Sequence, residues 1–215
     1  ENISYFGAGN DEAQMVYNFA LPPLLAFSVL KSNTEKLTKW AEELALPGEG
    51  VCFFNFTASH DGIGVRAVNG ILDEKEINFL VSTSIEHGGY ASYRAIGDED
   101  KSPYELNCSY IDLLTHPEED DNLRVKRMIL SQAVVLAMPG VPGIYFHSLV
   151  GSRNYHEAVR KTRINRSVNR DKLNYDNLKE LLEEEGSLQK ILFKRYKQLL
   201  SIRISEEAFN PFGRS

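Results

Sequence analysis

The chain of 215 residues carries 24 Lys and Arg against 30 Asp and Glu, a formal net charge of −6, and is 42% hydrophobic, which bounds it as one domain able to bury a sizeable core. The acidic balance argues against nucleic-acid binding by the chain as a whole, and no apolar run of about 18 residues or charged-then-apolar leader marks a membrane span or a signal peptide. The two cysteines, Cys52 and Cys108, form neither a metal spacing nor a disulfide framework, a usage that fits a reducing cytoplasm.

Residues 1–12 are polar, contain glycine and show no periodicity, so they read as loop. The chain opens inside that loop, on E-N-I-S-Y-F-G, with neither a methionine nor a capped element, and so reads as a piece of something longer. Residues 13–19, A-Q-M-V-Y-N-F, are short, apolar and aromatic, and predict a strand. Leu21-Pro22-Pro23 breaks it. Proline is tolerated in a first helical turn, which predicts a helix over residues 23–32. Asn33-Thr34 caps a second helix over 35–44, where Leu37, Trp40, Ala41 and Leu44 recur at i, i+3, i+4 and i+7. Trp40 lies on that stripe and reads as core in preference to a sugar platform.

Residues 51–64, V-C-F-F-N-F-T-A-S-H-D-G-I-G, hold the strongest signal. Val51, Phe53, Phe54, Phe56 and Thr57 are apolar on both faces, the pattern of a strand covered on both sides of a parallel sheet. The strand is expected to end at His60-Asp61, and Gly62-Ile63-Gly64 then turns the backbone away and leaves both side chains at its carboxyl end. Chemistry in parallel α/β folds is done at that end. An Asp before Gly is more often a turn residue, and a His at a strand end more often a hydrogen-bonded wall residue, so the pair alone decides nothing.

Asp73 opens a helix with Ile77, Leu80 and Val81 on one face. Residues 87–103 then lose periodicity and predict a long lid-like loop, running on through Tyr104 and Glu105 to 107 and overhanging the same pocket. Residues 120–138 predict a helix ended by Pro139-Gly140. After it, V-P-G-I-Y-F-H-S-L-V-G-S predicts a buried strand centred on residues 143–146, with His147-Ser148 near its carboxyl end. Residues 160–172, R-K-T-R-I-N-R-S-V-N-R-D-K, are strongly basic in an acidic chain, a pattern that is usually a solvated face. Two further helices follow, capped at Asn174 or Asp176 and at Ser187, and separated by Gly186.

F-N-F-T-A-S-H-D-G-I-G resembles the seventh-strand motif of the alpha-amylase superfamily (family 13 glycoside hydrolases), in particular its sucrose phosphorylase branch, and P-G-V-P-G-I-Y resembles that superfamily's eighth-strand motif. The two occur in the expected order. S-P-Y-E-L-N and F-H-S-L-V-G-S-R-N look closer to glucosylglycerate phosphorylase-like members of the branch. The resemblance implies an α/β fold, the C-terminal portion of a (β/α)8 TIM barrel with about strands six to eight and their helices over residues 13–205. Residues 206–215 would then lead towards a small β-domain. It also implies that Asp61 stabilises the transition state and that His60 hydrogen-bonds the sugar in the −1 subsite. Tyr104 and Glu105 would border the acceptor side, in a loop that admits either phosphate or the second sugar or acid. Sucrose phosphorylases carry glutamine at the position of Glu105, which points away from sucrose as substrate.

Barrels commonly place phosphate sites after the eighth strand, and a guanidinium matches phosphate oxygens two at a time. The resemblance singles out Arg166 there, with Arg163 and Arg170 as lesser candidates. The nucleophilic aspartate and the acid/base glutamate are expected before residue 1, so Glu1 is not the acid/base. The implied activity is that of a retaining α-glucoside phosphorylase, which moves a glucosyl unit to phosphate. The alternatives are an α-glucosidase or transglucosidase of the same superfamily, and a non-catalytic carbohydrate-binding fragment. Expected partners are a small-molecule α-glucoside and phosphate as substrates, with no metal or organic cofactor, no nucleic acid and no membrane. Three βα units alone expose an apolar interior and a bare edge, so an isolated fragment is expected to self-associate or to need the missing barrel half, and to be inactive.

Overall fold

The structure, a computed structural model, describes residues 2–8, 11–45, 48–96 and 100–212. Strand β1 (Met15–Tyr17) leads into helices α1 (Leu21–Lys31) and α2 (Glu35–Glu42), then into strand β2 (Cys52–Asn55). A second group follows: β3 (Ile63–Gly64), α3 (Glu74–Glu86), β4 (Tyr90–Ile96), β5 (Asp100–Asn107) and the single turn α4 (Tyr110–Leu113). The long helix α5 (Asp121–Ala137) returns the chain to β6 (Val141–Pro142), after which come α6 (Phe146–Leu149), α7 (His156–Thr162), α8 (Tyr175–Glu183) and α9 (Leu188–Ser205).

Two three-stranded sheets result. In the first, β2 lies between β1 and β6 with every pairing parallel, Val16 opposite Phe53 and Asn55 opposite Pro142. Parallel neighbours require helical crossovers, and α1–α2 and α5 supply them. Alternation sends Val16 and Phe53 to one face, where they pack with Phe6 and Val51, and sends Tyr17 and Phe54 to the other, with ring centroids 5.2 Å apart.

One buried amide knots the three strands together. Asn55 Oδ1 accepts from Asn18 Nδ2 at 2.9 Å and its Nδ2 donates to the Pro139 carbonyl at 2.8 Å, while the Asn55 backbone carbonyl accepts from Gly143 N at 2.6 Å. Gly140 makes this approach possible: it holds φ at 116°, and a Cβ there would lie 2.3 Å from the Phe53 carbonyl oxygen.

Most helix boundaries follow local chemistry. Pro22 and Pro23 occupy the first turn of α1. Asp73 and Glu76 form a reciprocal capping box on α3, and Lys36 pairs with the same Glu76, fastening α2 to α3. Asp120, Asn174 and Ser187 cap α5, α8 and α9 through their side chains. The main core gathers Leu24, Leu80, Leu106, Met128 and Leu192 from five elements. Within it, Tyr196 OH of α9 donates to Gln132 Oε1 of α5 at 2.6 Å, and Gln132 Nε2 donates to Thr57 Oγ1 at 3.2 Å, just before His60. No helix among the described residues is long and apolar enough to cross a membrane.

Three expectations are corrected. Residues 90–96 and 100–107 are paired antiparallel strands and not an irregular loop, so Tyr104 and Glu105 sit within a strand. A register shift between Ser92 and Tyr93 breaks the alternation that would have shown it, and Pro103 lies inside β5. The last parallel strand is Val141–Pro142 and is not centred on residues 143–146; His147 and Ser148 belong to α6. Finally, β2 stops at Asn55, so His60 and Asp61 stand on the irregular segment beyond it and not directly at the strand end. Glu1 and residues 9–10, 46–47, 97–99 and 213–215 lie outside the described residues.

Candidate functional site

The site begins with Gly62, whose φ of 123° lets the chain after Asp61 pass against β5; a Cβ there would lie 2.7 Å from the Leu106 carbonyl oxygen. Ser59, His60 and Asp61 are thereby held on a loop anchored from several sides. Asn169 Nδ2 donates to the Ser59 carbonyl at 2.7 Å, and the Asn169 carbonyl accepts from Tyr145 OH at 2.7 Å. Arg170 Nε donates to the His60 carbonyl at 2.5 Å.

Arg166 lies on a short 3-10 turn over Asn165–Asn169, and Arg170 directly follows it. Both guanidinium groups reach one oxygen of Asp61: Arg166 Nη1 and Arg170 Nη2 each donate to Oδ1 at 3.0 Å. His60 Nε2 stands 3.6 Å from the same oxygen. Among the described residues no hydrogen bond falls on Asp61 Oδ2.

Arg166 also grips Glu105, Nε to Oε2 at 2.9 Å and Nη2 to Oε1 at 3.0 Å. A fork that meets a carboxylate through two parallel bonds fixes direction as well as charge. The Glu105 side chain is only 6% exposed and that of Asp61 44%, so the two pairs differ in weight. Exposed pairs contribute roughly 0–1 kcal/mol, whereas removing one partner of a buried pair costs about 3–5 kcal/mol. Glu105 therefore holds Arg166, and Arg166 presents Nη1 to Asp61. The Glu105 pairing, first of all its hydrogen bond, raises the Arg166 pKa and keeps the guanidinium charged.

Asp61, Tyr104, Glu105 and Arg166 line one cleft of about 700 Å³, within the range of small-molecule sites. Its apolar wall is aromatic: Tyr17 and Phe19 stack at 5.4 Å, and Phe19 meets Phe56 edge-on at 5.6 Å. Trp40 packs on the main core, as its helical spacing suggests, and also reaches the cleft. The structure thus gathers Asp61, Tyr104, Glu105 and Arg166, with Arg170 and His60 beside them at the Asp61 carboxylate. Arg163 ends α7 at φ 58° and takes no part in the ion pairs at Asp61 and Glu105. His147 bonds Ser152 Oγ at 2.8 Å, and burial lowers its pKa.

The sequence alone did not point to Asn107, Ser92 or Arg66. Asn107 Nδ2 donates to Glu105 Oε2 at 2.7 Å, and Ser92 Oγ donates to Asn107 Oδ1 at 2.6 Å. A strand assignment over 100–107 would have placed Glu105 and Asn107 on one face, two residues apart. Arg66 lines the cleft and makes no ion pair with a described acidic residue.

The backbone aligns with that of a sucrose 6F-phosphate phosphorylase from Thermoanaerobacter thermosaccharolyticum at a TM-score of 0.79, with 23% identity, over 97% of this chain and 39% of that one. The parallel arc is accordingly part of a (β/α)8 barrel. The chain is 42% identical over 211 residues to a glucosylglycerate phosphorylase of Escherichia coli (strain K12), covering 98% of this chain and 38% of that protein. It is likewise 42% identical over 213 residues to a glucosylglycerate phosphorylase of Spirochaeta thermophila, and 29% identical over 204 residues to a sucrose phosphorylase of Agrobacterium vitis. No family model matches the chain. The chain belongs to the glucosylglycerate and sucrose phosphorylase branch of the alpha-amylase superfamily, and it spans 36–38% of the length of the two glucosylglycerate phosphorylases.

Proposed function

We propose that this chain is the part of a retaining α-glucoside phosphorylase that carries the transition-state carboxylate, Asp61, and the arginines that hold it. The supporting observation is the Asp61 carboxylate itself, which lines the cleft: Oδ1 is fixed by Arg166 and Arg170, and Oδ2 takes no hydrogen bond from the described residues. Cleaving a glycosidic bond with retention needs a nucleophilic and an acid/base carboxyl group around an oxocarbenium-like carbon. In this reading both come from the part of the barrel outside this chain. The nucleophile bonds C1 as the acid/base protonates the departing oxygen. Phosphate then attacks C1 and breaks its bond to the nucleophile, which leaves as the free carboxylate, the acid/base takes back the phosphate proton, and glucose 1-phosphate is released. A third carboxylate, preorganised by two guanidinium groups, stabilises positive charge as it develops and needs no reorganisation. His60 and Arg166 contact the sugar or phosphate, and Tyr104 and Glu105 border the acceptor side, with the Glu105 carboxylate already engaged by Arg166.

Arg66 favours an acceptor that is itself an anion, as in the glucosylglycerate-type members. Among the described residues Asp61 and Glu105 are paired with Arg166 and Arg170, whereas Arg66 lines the cleft with no acidic partner. The proposal requires phosphate as a substrate and no metal or organic cofactor, and places the enzyme in the cytoplasm, where the buried free thiols of Cys52 and Cys108 would persist. Strands β1 and β6 are the two edges of the parallel arc, so the isolated segment would associate with itself or require the rest of the barrel.

The test is phosphate-dependent release of glucose 1-phosphate by the full-length protein from glucosylglycerate. Free glucose released at a rate indifferent to phosphate would instead indicate an α-glucosidase or transglucosidase, and no turnover a carbohydrate-binding role.

A further inference from the structure

Building on the glucosyl-transfer reading of the cleft, we propose that Asn107 is a positioning residue for that site: it sets the orientation of Glu105, through Glu105 that of Arg166, and it ties the Asp61 loop to the hairpin. Asn107 is fully buried at the end of β5. Its amide makes three bonds at once. Nδ2 donates to Glu105 Oε2 at 2.7 Å and to the Asp61 backbone carbonyl at 3.4 Å, while Oδ1 accepts from Ser92 Oγ at 2.6 Å on β4. Only a primary amide supplies two donors and an acceptor in this plane. Gly62 completes the arrangement, because a Cβ there would come within 3.0 Å of Asn107 Nδ2.

The consequence runs through Glu105. Its Oε1 receives Arg166 Nη2, and its Oε2 receives both Arg166 Nε and Asn107 Nδ2. Three donors around one buried carboxylate allow one rotation of its plane, and the Arg166 fork follows that plane. Nη1, directed at Asp61 Oδ1, is fixed by the same plane. With the Asn107 donor removed, the carboxylate can turn and Nη1 moves off Asp61, although neither Glu105 nor Asp61 has been altered.

The test uses the full-length enzyme with Asn107→Ala and Asn107→Asp, each compared with wild type at every pH from about 5 to 8. The charged groups around position 107 are Glu105, Arg166 and Asp61, and Tyr90 is its partner in register on β4. Asn107→Ala is expected to lower kcat about tenfold while donor KM moves less than about threefold, the signature of an interaction that matters in the transition state. Asn107→Asp places a second carboxylate against Glu105, and two such groups share a proton at a raised apparent pKa. That variant is expected to match Asn107→Ala at about pH 8 and to recover to within about threefold of wild type near pH 5, where the shared proton replaces the amide donor. Wild-type kcat in Asn107→Ala overturns the proposal. So does a loss in Asn107→Asp that is the same factor at every pH, which a packing role alone would give. Should wild type release no glucose 1-phosphate, the glucosyl-transfer reading fails separately. The proposal is then decided by the NMR resonance of the Arg166 Nε–H group, identified by its loss in Arg166→Lys: a shift in Asn107→Ala supports the proposal and an unchanged resonance overturns it.

Discussion

Arg166 gives Glu105 two of its nitrogens, Nε and Nη2, at 2.9 and 3.0 Å, and keeps Nη1 for Asp61 at 3.0 Å. One guanidinium thus couples a buried carboxylate to a half-exposed one. The buried pair is structural, and the exposed end is directed into the cleft.

This asymmetry separates two arginines that the sequence presents as alike. Arg166→Ala leaves the Glu105 carboxylate buried with Asn107 as its remaining partner, and is expected to destabilise the protein by about 3 kcal/mol. Arg170, whose partner Asp61 is 44% exposed, should contribute roughly 0–1 kcal/mol when replaced by Ala. Chemical denaturation of both variants checks the order, and equal losses would contradict the assignment of Glu105 as the structural partner.

Asp61→Asn keeps the shape of the side chain and removes its charge. In the full-length enzyme it is expected to cut kcat by roughly 10²-fold, the cost of losing one preorganised electrostatic group. Near wild-type turnover would remove Asp61 from the transition state.

Arg66→Gln is expected to raise KM for an anionic acceptor, glycerate, by about tenfold in glucosyl transfer from glucose 1-phosphate, since one charge-assisted contact is worth about 1.5–3 kcal/mol at most. Transfer to glycerol, its uncharged counterpart, should change by less than about twofold. Equal effects on both acceptors would show that Arg66 does not read charge.

Burial pushes the Cys108 thiol up to about 12 from the usual 9.0, while its contact with Ser84 acts weakly the other way. A proton held more tightly in the folded than in the unfolded chain means stability that is complete below pH 9.0 and falls as pH rises towards 12, by about 1.4 kcal/mol per pH unit. Cys108→Ala should flatten that alkaline decline in thermal melts, and the native thiol should resist alkylation near neutral pH. Rapid labelling of the folded protein would refute it.

The helices were legible because their signals are local: Pro22-Pro23 in a first turn, Asp73 with Glu76, Ser187 before an apolar stripe. The parallel strand through Phe53 was legible from its continuous apolar run. The hairpin was not, because its alternation is broken at Ser92 and its pairing reaches across residues whose polarity reads as loop. For the same reason nothing in the sequence marks Asn107, while Glu105 is singled out by the family resemblance alone. Their shared face exists only once β5 is drawn as a strand. The Arg66 contribution is invisible in sequence, since it depends on which acidic groups Arg166 and Arg170 have already neutralised.

The buried amide of Asn55 bears on how such a barrel is put together. The bonds of Asn55, two through its side-chain amide and one through its backbone carbonyl, reach residues that synthesis delivers at well-separated times, Asn18 early and Pro139 and Gly143 late. Until the last of them arrives, a polar group waits in an apolar interior, and that penalty opposes any premature closure around the wrong neighbour. A wrong strand order would leave the Asn55 amide buried without these partners, at a cost of about 1–3 kcal/mol.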